Sequence, residues 1–212
     1  MLFGSEDTQI NIGAGANTYP SIRPSLYLNF ARSKVLDPRI TFTRGSNASF
    51  IDKDGYIKYV TGNTPRIEYD SVTDECKGLL IEGSSTNLLT YSENFDGSGW
   101  LLQSAYVYQR NDILSPDGTY ITYKLVENAN NIQHYVYKGQ TASNTYLTFS
   151  VYAKAAERAN VTLQISNFST EAFNANFNLN NGTFSISGGG TDFTSMSGQC
   201  ISVGNGWYRC II

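Results

Sequence analysis

The chain has 212 residues, of which 41% are hydrophobic and 16% charged, and its formal net charge at pH 7 is −3. This composition can build a core, which excludes a disordered linker. The sequence has no Lys/Arg cluster, so we expect no nucleic-acid partner. It also has no signal-peptide pattern and no run approaching the roughly 20 apolar residues that span a bilayer, so we expect no membrane insertion.

Abundant Tyr, Phe and Gly, with recurring Asn, Ser and Thr, predict an all-β protein of strands joined by tight turns. Residues 1–21 are aperiodic and rich in Gly, Ala, Asn and Thr, which predicts an extended N-terminal arm. Residues 22–85 predict a small, loop-rich β unit. Its strongest signal is Asp52-Lys53-Asp54-Gly55 between two apolar runs, a hairpin in which Asp-Gly supplies the positive φ.

The alternation of apolar and polar residues, which predicts strands, is weaker in residues 22–85 than in residues 86–212. In the first unit, the alternation of Leu26, Leu28 and Phe30 predicts a short strand. Residues 86–212 alternate more cleanly, so their half-buried antiparallel strands need a second sheet to cover their apolar faces. We therefore predict a jelly-roll β-sandwich there, and expect it to be incomplete because the sequence stops within a strand-like run.

One hairpin of this second unit carries a register prediction. A two-residue turn at Asn181-Gly182 would pair Leu179 with Phe184 and Phe177 with Ile186. All four apolar side chains would then lie on one face of the sheet.

The chain has three cysteines, which is an odd number and too few for a disulfide framework. Cys200 and Cys210 nevertheless flank the turn Gly204-Asn205-Gly206 symmetrically and would face each other across a three-residue hairpin loop. They are a candidate disulfide, and the alternative is a pair of reduced, partly buried thiols.

Catalytic residues are not evident. The only histidine, His134, has no nucleophile or orienting partner near it in sequence. Carboxylate pairs such as Glu93 with Asp96, or Glu157 with Glu171, cannot be told from ordinary solvated carboxylates. We therefore predict that the chain is not an enzyme.

Five segments of the first half of the chain form an ordered series. They are PSLYLNFA at 24–31, LDPRITFTR at 36–44, PRIEYD at 65–70, ECKGLLIE at 75–82 and TNLLTYSENF at 86–95. In wording and order they resemble one family of virion structural proteins from tailed phages of the marine or cyanophage type. FSVYAKA at 149–155 and GNGWYRC at 204–210 resemble strands of that family's jelly-roll domain, which is similar to carbohydrate-binding modules.

The resemblance implies a virion location, after assembly in the host cytoplasm, with capsid or tail proteins as partners. It implies that the arm and residues 22–85 dock on the particle while residues 86–212 project outward. We favour a capsid decoration or head-fibre protein, because an arm so near the initiator Met resembles those of proteins that lie on a shell. The alternative is a tail fibre or a carbohydrate-binding adhesin. A homo-oligomer is expected, with a trimer as one arrangement.

Modules of this kind bind sugars by stacking aromatic rings on them. The candidates for binding host glycans are Trp100, Tyr106, Tyr108, Tyr135 and Tyr137, although each ring could instead pack at the edge of the core with its polar atom in water.

The resemblance also implies a structural calcium near residues 87–96, with Glu93 and Asp96 as candidate ligands. We expect no other cofactor. The Asp52–Gly55 turn resembles the start of a calcium loop, but it lacks the later ligands.

Overall fold

The computed structural model describes residue 26 and residues 28–97, 99–142, 146–167 and 171–212. The arm predicted at residues 1–21 lies outside this part of the chain. The described residues form one four-residue helix and 14 strands. The strands make four two-stranded and two three-stranded antiparallel sheets, which confirms a mostly β protein. No helix within these ranges is long and apolar enough to cross a membrane.

The first unit contains one helical turn and two ribbons. Its elements are α1 (Phe30–Ser33), β1 (Ala48–Ile51), β2 (Ile57–Val60), β3 (Ile67–Tyr69) and β4 (Cys76–Leu79). β1 pairs with β2, and β3 with β4. The predicted hairpin is confirmed, because Oδ1 of Asp52 accepts the N–H groups of Asp54 and Tyr56 at 3.0 Å each, and Gly55 has φ +78°.

The predicted strand through Leu26, Leu28 and Phe30 is wrong. Phe30 begins α1, and the side chain of Asn29 caps this turn by accepting the N–H of Arg32 at 3.1 Å. Asn is among the best N-cap residues. This local hydrogen bond outweighs a short apolar alternation that has no strand partner.

A buried arginine ties the two ribbons of the first unit together. Arg66 is 4% exposed, and its Nη1 donates to the carbonyl of Ser49 on β1 at 2.7 Å and to Oε2 of Glu82 at 2.6 Å. Its carbonyl accepts the N–H of Leu80 at 2.9 Å. Charge-assisted bonds of this kind are stronger than neutral ones, so Arg66 holds β1 beside the β3–β4 ribbon.

The rest of the chain adds ten strands. They are β5 (Leu101–Gln103), β6 (Ala105–Arg110), β7 (Thr122–Glu127), β8 (Tyr135–Tyr137), β9 (Ser150–Lys154), β10 (Asn160–Ser166), β11 (Ala172–Asn178), β12 (Thr183–Gly189), β13 (Gln199–Ser202) and β14 (Trp207–Ile211). β5 pairs with β8, and β6 with β7. The three-stranded sheets have the orders β10-β11-β12 and β13-β14-β9.

The two three-stranded sheets share one hydrophobic core. Buried residues from both sheets form a single cluster, in which Ala175, Phe177 and Cys210 are 0% exposed. The other buried members are Leu163, Phe173, Leu179 and Ile212. Burial of apolar surface is the main favourable term in folding, so this cluster is the principal source of stability in the second unit.

The register predicted for the β11–β12 hairpin is wrong by two residues. Phe184 lies opposite Phe177 and Ile186 opposite Ala175. The loop has four residues because Leu179 leaves the ladder: its side chain is 6% exposed in the core, and its N–H donates to the carbonyl just before β10 at 2.7 Å. The shift is an even number of residues, so Phe184 and Ile186 keep the predicted face.

Hydrogen bonds cross the predicted boundary between residues 85 and 86. The N–H of Ile57 on β2 donates to the carbonyl of Pro116 at 2.9 Å, and the hydroxyl of Tyr59 donates to Oε1 of Glu93 at 2.8 Å. The first unit is therefore bonded to the second unit as well as joined to it by the backbone.

Candidate binding surfaces

The segment before β5 folds around aromatic rings. The Phe95 ring lies 4.8 Å from the Trp100 ring and 5.9 Å from the Tyr123 ring, between centroids. The indole N–H of Trp100 donates to the carbonyl of Tyr91 at 2.9 Å. Trp100, a predicted sugar-binding residue, therefore has its polar atom and part of its ring engaged within the chain.

Lys138, immediately after β8, holds this segment in place. Its Nζ donates to the carbonyl and the hydroxyl of Thr90 at 2.6 and 2.9 Å. It also lies 5.6 Å from the ring centroids of both Tyr91 and Trp100. Cation–π contacts at this distance are attractive, and most so when partly desolvated. The ammonium group therefore links the loop to the β5–β8 ribbon.

We expect Lys138→Met to lower the free energy of unfolding by about 1–2 kcal/mol, because it removes two hydrogen bonds and two cation–π contacts but keeps the apolar stem. Urea denaturation followed by circular dichroism measures this loss. The matched control is Lys124→Met, which breaks one ion pair to a Glu157 side chain that is 75% exposed. It should cost less than about 0.5 kcal/mol. Equal losses in the two variants would contradict the role given to Lys138.

The predicted calcium ligands bind different tyrosines. Glu93 accepts from Tyr59, whereas Asp96 and Asn94 accept from the hydroxyl of Tyr123 at 3.2 and 3.0 Å. Burial, together with the bond to Asp96, raises the pKa of Tyr123. In the described ranges no group of three or more His, Cys, Asp or Glu side chains could hold a metal ion. The calcium site stays a prediction.

Tyr106 and Tyr108 present their rings to solvent on one face of the β6–β7 ribbon. They are 53% and 43% exposed, and Lys124 of β7 lies directly opposite Tyr108. Arg110, two positions further along β6, shares this face and binds Asp112 through two hydrogen bonds of 2.7 and 2.5 Å. We call Tyr106, Tyr108, Arg110 and Lys124 the ribbon face. The ribbon face combines solvent-exposed aromatic rings with charged hydrogen-bonding groups.

Tyr135 and Tyr137 form a separate aromatic pair on β8. Their ring centroids are 5.5 Å apart in an edge-on arrangement, and Tyr135 is 40% exposed while Tyr137 is half-buried. In the part of the chain that the structure describes, no ring contact joins them to Tyr106 or Tyr108. The four predicted sugar-binding tyrosines are therefore divided between two ribbons, and Trp100 lies immediately before β5 of the β5–β8 ribbon.

The residues considered for catalysis each have a structural partner. The Nδ1 atom of His134 lies 2.6 Å from the carbonyl oxygen of Ser104. Glu157 accepts from Lys124 at 2.5 Å. Glu171 accepts two backbone N–H groups of the loop after β12, at 2.9 and 2.7 Å, and these bonds lower the pKa of Glu171. These hydrogen bonds and the ion pair account for the positions of the three side chains.

The two cysteines of the last hairpin face each other, as predicted from its three-residue loop. Cys200 and Cys210 are directly opposite each other on β13 and β14, across a three-residue loop closed by the pairing of Val203 with Trp207. Both thiols are free in the structure. Burial raises the pKa of the Cys210 thiol to about 12. The disulfide stays a prediction.

The sequence alone did not indicate the cations beside the aromatic rings. Arg110 could have been found from its two-residue spacing after Tyr108, which places both on one strand face. Lys124 and Lys138 could not, because their positions depend on pairing between distant segments.

Neither a protein-family model nor a curated protein sequence matches the chain. The family resemblance therefore rests on the sequence segments alone.

Proposed function

We propose that this chain is a structural protein of a tailed-phage virion, a capsid decoration or head-fibre protein that packs against partner subunits. The supporting observation is the distribution of apolar side chains. Among the described residues, more large hydrophobic side chains are exposed than hydrophobic residues are buried. Single exposed apolar side chains are ordinary, but large exposed apolar patches mark interaction sites.

The β5–β8 ribbon illustrates the point. Leu101 and Leu102 are 53% and 43% exposed, and as neighbours on a strand they point to opposite faces of the ribbon. Both faces of a two-stranded ribbon thus present apolar surface to solvent. Isolated two-stranded ribbons are marginally stable in water, so cover from a partner would add stability.

Within this proposal the two units have different roles. The arm and residues 22–85 dock on the particle, and residues 86–212 project as a jelly-roll β-sandwich. The core shared by two antiparallel three-stranded sheets supports the sandwich. Homo-oligomers give every copy the same docking patch, and a trimer is one such arrangement.

Immunogold labelling of purified virions, with antibodies raised against the full chain, tests the proposal. We expect labels over the capsid shell, and mass spectrometry of the same particles should detect the chain at a fixed ratio to the major shell protein. Labels confined to the tail would support the tail-fibre alternative. Absence of the chain from purified particles would reject a virion role.

A carbohydrate-binding adhesin is the second candidate, and the ribbon face favours it. Tyr106 and Tyr108 are solvent-exposed rings flanked by Lys124 and Arg110, which suits stacking on a sugar ring and bonding to its hydroxyls. On a glycan array, the double variant Tyr106→Ala/Tyr108→Ala should lose about tenfold in affinity, or about 1.4 kcal/mol. Tyr120→Ala, at a 57% exposed position outside this face, is the control. No glycan bound by the wild type would reject the adhesin.

A further inference from the structure

β12 is an unprotected sheet edge. It is the last strand of the β10-β11-β12 sheet, so one side of its backbone has no strand partner among the described residues. Its first six residues are exposed, and none of its seven carries a charge or is proline. Natural edge strands are commonly protected from pairing by charge, proline or bulges. β12 has none of these over residues 183–187.

The uncovered apolar surface of this sheet lies on the same strand. Phe184 and Ile186 share the core face with Phe177 and Ala175, which are 0% exposed, yet they are themselves 41% and 37% exposed. On β10, at the other edge of the sheet, the core-facing Leu163 is only 6% exposed. A strand added beside β12 would therefore cover both backbone and apolar side chains.

We propose that β12 pairs antiparallel with β12 of a second copy of the chain, about a two-fold axis at Ser185. This inference goes beyond the proposed function, because it rests on the features of β12 itself. Directly opposed residues of an antiparallel pair share a face. An axis at Ser185 places Phe184 opposite Ile186 of the second copy, and Thr183 opposite Ser187. Both apolar side chains then gain an apolar neighbour.

Other registers fit less well. An axis between two residues would oppose apolar to polar side chains. An axis at Ile186 would place Phe184 opposite Gly188, leaving the ring without a side-chain neighbour. The Gly189 end is half-buried, and a Cβ added there would lie 3.2 Å from Cε of Met196, which limits pairing to the residues before it.

The occupant is a second copy because β12 is self-complementary. Without charges, the strand meets no like-charge repulsion when paired with itself, whereas a charged strand would. The two-fold contact is closed, because each copy uses the same patch. It joins the β10-β11-β12 sheet of one copy to the same sheet of the second copy, which gives one continuous sheet of six strands.

A single cysteine at the axis tests the register. Opposed Cα atoms lie about 4.5–5.5 Å apart, within the range of a disulfide. Full-length Ser185→Cys is therefore expected to form a reducible dimer under mild oxidation, with peptides joined at position 185. Ser187→Cys is the matched control. In the proposed register, position 187 of one copy lies opposite position 183 of the other, so the two introduced cysteines are four residues apart along the strands. This offset is about 13 Å, and the cysteines should not cross-link. Equal cross-linking of both variants would overturn the register.

A charge at the axis tests the interface itself. Ser185→Lys brings two like charges together and should raise the dimer dissociation constant at least tenfold, measured by light scattering during size-exclusion chromatography over a dilution series. Asn160→Lys adds the same charge to β10 and should leave the constant unchanged. Circular dichroism checks that both variants fold.

A wild type that is monomeric at every concentration, or an association that Ser185→Lys leaves unchanged, would overturn the pairing. These outcomes are independent of the virion proposal. A dimer linked at position 185 in a chain absent from particles would reject the virion role and keep the pairing. A virion protein without the link would reject the pairing alone.

Discussion

Phe177→Ala is expected to lower the free energy of unfolding by about 3–5 kcal/mol, the cost of truncating a fully buried aromatic side chain. Phe177 is 0% exposed on β11, and its ring stacks on that of Phe184 with centroids 5.7 Å apart. It belongs to the cluster shared with Cys210 on the other sheet. Truncation leaves a cavity that neither sheet can fill, and urea denaturation followed by circular dichroism measures the loss.

Phe184→Ala is the matched control, because it removes the same atoms from a side chain that is 41% exposed. We expect a loss of about 1–2 kcal/mol, in proportion to the smaller buried area. Both variants are compared in the Ser185→Lys background, so that self-pairing of β12 does not contribute. Equal losses, or a loss below about 1 kcal/mol for Phe177→Ala, would contradict the shared core.

Cys210 in the native protein is expected to react with iodoacetamide at pH 8 about a thousandfold more slowly than an unperturbed thiol of pKa near 8.5. The thiolate is the reacting species, and burial raises the pKa of Cys210 to about 12, so very little thiolate is present at pH 8. Burial at 0% exposure also blocks the reagent. Peptide mass spectrometry after timed labelling gives the rate, and labelling in urea gives the unfolded reference.

Cys76 provides the comparison within the same molecule. It is half-buried on β4 and outside the core cluster, so it should be labelled well before Cys210. Prompt labelling of Cys210 would contradict its burial. An intact mass lower by two hydrogen atoms, with Cys200 and Cys210 unlabelled even in urea, would instead establish the cross-strand disulfide.

Features determined by local chemistry could be predicted from the sequence. The hairpin at residues 52–55 formed as predicted because one side chain, Asp52, accepts two of the turn's own N–H groups. The opposition of Cys200 and Cys210 followed from a symmetric three-residue loop. In both cases the residues that determine the geometry lie within about ten positions of each other.

Features determined by distant contacts could not be predicted. The β11–β12 register depends on Leu179 leaving the ladder to enter a core built from several strands. The arrangement of the predicted sugar-binding residues could not be predicted for the same reason. Trp100 is engaged by Lys138, 38 residues further along, and β-pairing separates the Tyr106–Tyr108 pair from Tyr135 and Tyr137. Alternation gives a strand's face, but not which other faces lie nearby.

The hydrogen bonds from Ile57 to Pro116 and from Tyr59 to Glu93 have a mechanical consequence. If the first unit is fixed to a particle and drag acts on the second, tension does not pass through the peptide link at residue 85 alone. Part of the load passes through these two side connections, which restrain the link from acting as a free hinge. The second unit would then keep its orientation relative to the particle.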